Sequence, residues 1–224
     1  LETPPAWSFR NHVQSVLSKT GCNMGACHGA AAGKNGFRLS LRGYDVEFDF
    51  AALTRHSRGR RIVPEDPGRS LLLTKPTGAI PHKGGLRFSE SSPEYRVLSQ
   101  WIAAGSPGPS VDDARLTKLE ILPKNVVVKP GAAQQMVVRA HFSDGHAEDV
   151  TRWAKFTSSN LTVAEVNAEG NVNVTGHGEA AIVAWYLSTT VGATLSSPFP
   201  EPVPAETFAQ AERANFIDDL VLAK

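Results

Sequence analysis

At 224 residues, with 41% hydrophobic and 20% charged side chains, 19 Gly and 15 Pro, the chain has the composition of a folded, loop-rich protein with room for two modest cores. That composition excludes a disordered or fibrous chain, and no apolar run approaches the ~20 residues that cross a bilayer as a helix. The formal charge of +1 hides an asymmetry: residues 1–110 carry 14 Lys and Arg against 8 Asp and Glu, whereas residues 111–224 carry 9 against 14.

The chain opens on Leu1-Glu2-Thr3-Pro4-Pro5, which lacks the basic and apolar regions of a signal peptide, so an export signal is expected to have been removed or to lie outside this sequence. From Ser8 to Ser18, Phe9, Val13, Val16 and Leu17 follow helical spacing, and Thr20-Gly21 supplies a stop. Residues 29–36 are small and flexible. Phe37, Leu39 and Leu41 then alternate with Arg38, Ser40 and Arg42, which reads as a short strand. A brief helix is expected over Phe48 to Arg55. Arg58, Arg60 and Arg61 cluster, either as a solvated loop or as an anion site, but no aromatic platforms interleave with the basic residues, and nucleic-acid binding is not expected.

Pro64-Glu65-Asp66-Pro67-Gly68 predicts a turn, after which Ser70 caps a short helix through Leu71, Leu72 and Leu73 until Lys75-Pro76 interrupts it. Ser92 is the N-cap of a longer helix, with Pro93 in its first position, Glu94 at the positive end of its dipole and Gly105 at its end. Tyr95, Leu98, Trp101 and Ile102 fall on one face, expected to pack on the first helix. The pattern predicts a multidomain chain: a small, mainly helical domain over 6–108, then a linker over 109–115. Beyond Leu116 the texture changes to short β-branched segments, Leu119 to Leu122, Val126 to Val128, Met136 to Phe142, Val163 to Val166, Val172 to Val174 and Ala180 to Tyr186, as in an all-β sandwich over 116–196. Asp144-Gly145 and Glu169-Gly170 mark turns between strands. Residues 197–224 read as a proline-rich linker followed by the start of a truncated next domain, with Phe216, Ile217 and Leu220 at helical spacing.

Both cysteines sit in Gly21-Cys22-Asn23-Met24-Gly25-Ala26-Cys27-His28-Gly29. Three chemistries use such a cluster: a local disulfide, a metal site, or two thioether bonds to haem vinyl groups with the adjacent histidine beneath the iron. A disulfide leaves the position of His28 unexplained and closes too short a loop to restrain the unfolded chain much. Zinc lacks a fourth ligand, and adjacent Cys27 and His28 seldom aim at one ion. Haem attachment calls for a histidine directly after the second cysteine, which is the order here, although the common motif has two intervening residues and this one has four. Gly25 and Ala26 are small enough to let the longer loop bulge away.

Beyond the cysteines, the sequence resembles the cytochrome c domains of large multidomain planctomycete proteins, in which a Cys-x4-Cys-His variant of the haem motif occurs. The resemblance runs through the helix Phe9 to Ser18, Gly36-Phe37-Arg38-Leu39-Ser40-Leu41-Arg42-Gly43-Tyr44-Asp45, Asp66-Pro67-Gly68-Arg69-Ser70-Leu71-Leu72-Leu73, Pro81-His82-Lys83-Gly84-Gly85 and Trp101-Ile102-Ala103-Ala104-Gly105. The second region resembles group 2 bacterial immunoglobulin-like domains, through Val166-Asn167-Ala168-Glu169-Gly170-Asn171-Val172 and Gly176-His177-Gly178-Glu179-Ala180-Ala181-Ile182. The tail from Phe208 is similar to the helical domain that follows in such proteins. The first resemblance implies one covalent haem c on Cys22 and Cys27, His28 as proximal iron ligand, and an exported protein, periplasmic or on the cell surface.

For the distal ligand, Met24 is tethered inside the attachment loop and Met136 belongs to the sandwich. His12 reads as solvated, and His141, His146 and His177 as surface or turn residues of the sandwich. His82, between a stiffening proline and two glycines that let backbone approach a flat cofactor, matches the family motif and is the expected ligand, with His56 or an open site as alternatives. The expected function is electron transfer rather than catalysis, with a redox partner protein or a downstream domain of the same polypeptide receiving the electron. A haem-based sensor or haem enzyme with an open sixth site, or a disulfide-containing surface binding module, are the competing classes. The arginine cluster would suit haem propionates, and the sandwich reads as a spacer or interaction domain.

Overall fold

The computed structural model describes residues 7–201 and 203–222; the Leu1–Pro5 stretch, the first residue of the expected helical domain and the last two residues of the tail lie outside them. Two apolar clusters organise the chain.

In the first cluster, a π-helical segment at Phe9–Val13 runs directly into α1, Gln14–Lys19, and Ser8 accepts from the Asn11 amide as the cap. All four residues of the expected stripe are buried, with Phe9 against Trp101 at 5.5 Å between centroids. Short helices follow: α2 (Val46–Thr54), α3 (Leu71–Thr74) and α4 (Pro93–Ala103). The expected caps behave differently. Ser92 accepts from the Tyr95 amide at 3.1 Å and Gly105 takes a positive φ past the end of α4, as the sequence predicts. Ser70 holds the cap position of α3 but makes no cap bond; its Oγ accepts from the Val63 amide 7 residues upstream, tying the preceding turn to the helix. The strand expected at Phe37 to Leu41 is absent. Leu39 is buried, but Leu41 is exposed and opens a 3₁₀ turn at Leu41–Gly43, and among the described residues the segment's ladder contact is a single bridge between Lys34 and Phe37. Alternation over three apolar residues does not make a strand without a partner to pair with.

The second cluster lies inside an all-β sandwich. Strands β1 (Leu116–Leu122), β4 (Val137–Phe142) and β5 (Ala147–Asp149) form one sheet; β2 (Asn125–Val127), β10 (Thr189–Ser197), β9 (Gly178–Tyr186) and β6 (Lys155–Ser158) form a second; β3 (Ala133–Gln135), β8 (Asn171–Val174) and β7 (Ala164–Val166) form a third. Pairing is antiparallel except between β2 and β10. Period-two burial sends Val138, Ala140 and Phe142, Val172 and Val174, and Ala180, Ile182, Ala184 and Tyr186 inward. Gly145 and Gly170 take positive φ at the two expected turns.

The segment expected to be a plain linker is bound to the first helix: Asn11 Nδ2 donates to the Ala114 carbonyl, and Ser8 Oγ donates to Asp113. The sandwich also grips that helix. Tyr186 donates its hydroxyl to the Asn11 carbonyl, Lys19 reaches the Arg152 carbonyl, and Trp153 packs against both apolar clusters. Past Ser197, α5 (Ala205–Ala209) and α6 (Phe216–Leu222) leave Phe208, Phe216, Ile217 and Leu220 exposed.

Candidate functional site

The helix α1 ends where Gly21 adopts φ +78°, and the Cys22 amide bonds back to the Leu17 carbonyl at 2.9 Å, so the cysteine loop starts anchored on the helix. The loop then folds on itself. The His28 amide donates to the Cys22 carbonyl at 3.0 Å, and the Cys27 and Gly29 amides share the Met24 carbonyl. Gly25 and Ala26, exposed at its tip, absorb the extra length. Gly29 is indispensable to this path: a Cβ there would sit 2.0 Å from the Asn23 carbonyl oxygen. Asn23, fully buried, holds the loop from inside, donating to Ser18 Oγ and accepting the Arg42 amide on its carbonyl.

Cys22 and Cys27 are free, half-buried thiols. Burial pushes the Cys22 thiol above its ordinary pKa, against the opposing pull of the Thr20 hydroxyl and the Arg87 charge. Arg87 Nη2 lies 3.6 Å from Cys27 Sγ, and its amide bonds to the Pro76 carbonyl, so this side chain links the cysteine loop to the segment carrying His82.

His28 and His82 face one another as nearly parallel rings, 9° apart with centroids 6.2 Å apart. His28 Nδ1 lies 3.1 Å from the Phe37 carbonyl oxygen and His82 Nδ1 3.4 Å from that of Gly85. A carbonyl can only accept, so each Nδ1 donates and each Nε2 of the neutral ring keeps its lone pair, the tautomer a metal ligand needs. Burial lowers the His28 pKa, and the nearby charges of His82, Arg61 and Arg87 lower it further, against the Phe37 carbonyl, so the neutral ring is favoured. Gly84 packs under His82: a Cβ there would stand 2.6 Å from His82 Cε1. The sequence assigned the glycines of this loop to the approach of a cofactor; Gly84 instead lets backbone support the imidazole, while Gly85 supplies a positive φ in open space.

Among the described residues, no group of three or more His, Cys, Asp or Glu is arranged to hold a metal ion. Two histidines alone do not make a metal site; His28 and His82 are the residues that would hold a metal carried in by a prosthetic group supplying its remaining ligands.

The other expectations divide. Arg61 is not part of an anion site with Arg58 and Arg60. It is 5% exposed and donates to the carbonyls of Gly36, Ala52 and His56, with its guanidinium 4.4 Å over the Phe37 ring. That ring in turn lies 4.5 Å from His28, so Arg61 buttresses the histidine's support. His12 is not solvated: its Nδ1 accepts from the Ser8 amide, its ring meets Trp7 edge-on, and burial lowers its pKa. His56 is exposed and packs on Phe48. Met136 is fully buried in the sandwich, His141 bonds Glu120 across a strand pair, and His146 and His177 occupy turns. Sequence reasoning missed the roles of Phe37, Arg61 and Arg87, whose bonds to His28, Gly36 and Cys27 span 9, 25 and 60 positions and leave no local signal.

Comparison with known proteins speaks to the sandwich. Residues 116–194 match the family of bacterial Ig-like domains (group 2). Ice-binding protein 1 of Shewanella frigidimarina (strain NCIMB 400) is 36% identical over 75 residues, which is 34% of this chain and 8% of that protein. Domains 5–6 of the S-layer protein SbsC align at TM-score 0.34 and 17% identity over 41% of this chain and 48% of that one. A mutant intimin of EHEC O157:H7 aligns at 0.28 and 21% over 38% and 48%. The strand order, the two glycine turns and the family match agree: residues 116–194 are a group 2 bacterial Ig-like domain.

Proposed function

We propose that residues 6–108 form a c-type cytochrome domain, holding one haem c covalently through Cys22 and Cys27 with His28 and His82 as axial ligands, and that the chain transfers electrons. The observation that carries this reading is the pair of parallel imidazoles 6.2 Å apart, each with Nδ1 committed to a carbonyl of its own side of the site. Bound haem supplies a one-electron couple between ferrous and ferric iron. The protein's part is positional. The Cys22–His28 loop presents two thiols and a histidine from one anchored turn, Gly84 and Gly85 set the opposite ring, and Phe37 on Arg61 fixes the tautomer of His28.

With His28 and His82 both holding the iron, no position would be left open to a small molecule, which favours electron transfer over sensing or oxygen chemistry. Export to the periplasm or cell surface belongs to the same proposal, because it follows from the resemblance that implies haem c. The electron's destination is a separate redox protein or a further domain of the same polypeptide.

In the matured protein, ferrous and ferric spectra are expected to be low-spin, and His82→Ala is expected to give a high-spin ferric form whose ferrous state binds carbon monoxide. An unchanged spectrum in the variant removes His82 from the site, and carbon monoxide binding to the ferrous wild type transfers the reading to the sensor class.

A further inference from the structure

Trp185 has no place in the sandwich's own core. On β9 the inward side chains are Ala180, Ile182, Ala184 and Tyr186, so Trp185 stands on the outer face of its sheet, yet it is half-buried and its indole N–H is enclosed. The first half meets it there: the Arg42 guanidinium lies 4.9 Å from the ring centroid. Lys155, the cross-strand partner of Trp185 on β6, also reaches the first half, with Nζ 4.0 Å from where a Cβ on Gly21 would stand. Arg42 itself adopts φ 58° and ψ 22°, left-handed backbone that is costly for an arginine and free for a glycine. Such strain persists where the surroundings over-determine it. At Arg42 they do so twice, through the stack on Trp185 and through its amide, which donates to the Asn23 carbonyl at 3.0 Å. Gly43, next in the turn, approaches the other end of Asn23, its Cβ position 3.3 Å from Nδ2. Asn23 lies between the two cysteines, and its carbonyl is also the one that Gly29, directly after His28, abuts. A displacement of the 41–43 turn is therefore passed to the thiols and to His28 through one peptide group.

We propose that Trp185 and Arg42 are positioning residues for the cysteine loop: the Ig-like domain, through this indole–guanidinium stack, holds the turn that holds Asn23, and is thereby part of the site rather than a spacer. The proposal rests on the functional reading only in that this loop is the site, and it holds whatever the thiols bind. A stack that merely joined the two halves would serve stability alone. The strain at Arg42 makes the two roles separable, because a residue that relieves it can remove the stack without weakening the fold.

The test uses the full chain without haem, in a Cys27→Ser background so that Cys22 alone reports, alkylated with neutral iodoacetamide and read by intact mass. Arg42→Gly removes the guanidinium and the left-handed strain together, so its melting temperature is expected to equal or exceed that of the parent. Loss of the stack should nevertheless let Cys22 react about threefold faster. Trp185→Thr, which keeps a residue suited to a strand, is expected to give the same gain in reactivity. Trp185→Phe, which keeps an aromatic face under the cation, should react at the parent rate. Since both residues act through one contact, the double variant Arg42→Gly with Trp185→Thr should react no faster than the faster single variant. Parent-like Cys22 rates in both single variants, or rate increases that multiply in the double variant, overturn the proposal. So does a faster Cys22 in Arg42→Gly accompanied by a lower melting temperature. A chain that matures without haem overturns the functional reading alone; the alkylation rates decide this inference.

Discussion

The sandwich pairs its backbone in sheet ladders, whereas the first half has short helices and long loops joined by turn-type backbone bonds, with buried side chains such as Asp49, Arg61 and Ser70 taking up further backbone groups. Ten polar or charged side chains are buried among the described residues, and nine of them, from Gln14 to Ser106, lie in the first half; Ser197 is the tenth. The two apolar cores are of similar size. The difference therefore lies in how the backbone is satisfied: one half repeats a two-residue pattern, and the other depends in part on particular residues such as Asp49 and Arg61. A fold of the second kind can bring His28 and His82, 54 positions apart in sequence, to 6.2 Å between ring centroids. It is also the easier to break by single substitutions.

The largest expected effect is at Arg61. Arg61→Met strands three carbonyls that the guanidinium now serves and is expected to destabilise the first half by about 3 kcal/mol or more, leaving the sandwich transition unchanged. Calorimetry resolves the two transitions; a common shift of both would mean that the halves do not differ as described.

Asp49 gives a pH test of the same contrast. Its carboxylate accepts from the Ser40 amide, Ser40 Oγ and Gln14 Nε2, yet burial dominates and raises its pKa above 3.8. A carboxyl that holds its proton more tightly when folded adds stability that is complete below pH 3.8 and is lost as pH rises through the folded value. The first half should therefore weaken relative to the sandwich as pH rises from about 4. Asp49→Asn is expected to flatten that trend, because Gln14 can turn its amide and offer Oε1, now without a partner, to the new NH₂ group. A trend of equal slope in the variant would assign it to other groups.

The smallest expected effect is at the junction. Tyr186→Phe removes the hydroxyl bond to the Asn11 carbonyl and is expected to cost about 1 kcal/mol, separating the two unfolding transitions slightly. Unchanged spacing would show that this bond does not couple the halves.

The same contrast explains what was legible in the sequence. Strands such as β9 announce themselves because Ala180, Ile182, Ala184 and Tyr186 alternate with outward residues, and Asp144-Gly145 marks its turn by chemistry. Strand β10 did not, because its inward side chains are Ala193, Leu195 and Ser197 on a background of Thr and Gly, and only pairing with β9 makes it a strand. In the first half the helix into Cys22 and the cap at Ser92 were readable from local spacing. Phe37, Leu39 and Leu41 misled, since a carbonyl needed at His28 and a buried Leu39 mimic alternation. The residues of the proposed site come as a list from the cysteine motif and the family resemblance. Its construction does not: Arg61 under Phe37 and Arg87 against Cys27 depend on contacts between distant segments.

The most direct measurement is the intact mass and pyridine haemochrome spectrum of the full chain produced with a cytochrome c maturation system. A coloured protein heavier than the polypeptide by one haem is expected, with the haemochrome band of a haem joined by two thioethers, and loss of one linkage in either Cys22→Ser or Cys27→Ser. A colourless chain of polypeptide mass, with Cys22 and Cys27 free or joined to one another, would contradict the proposed haem attachment.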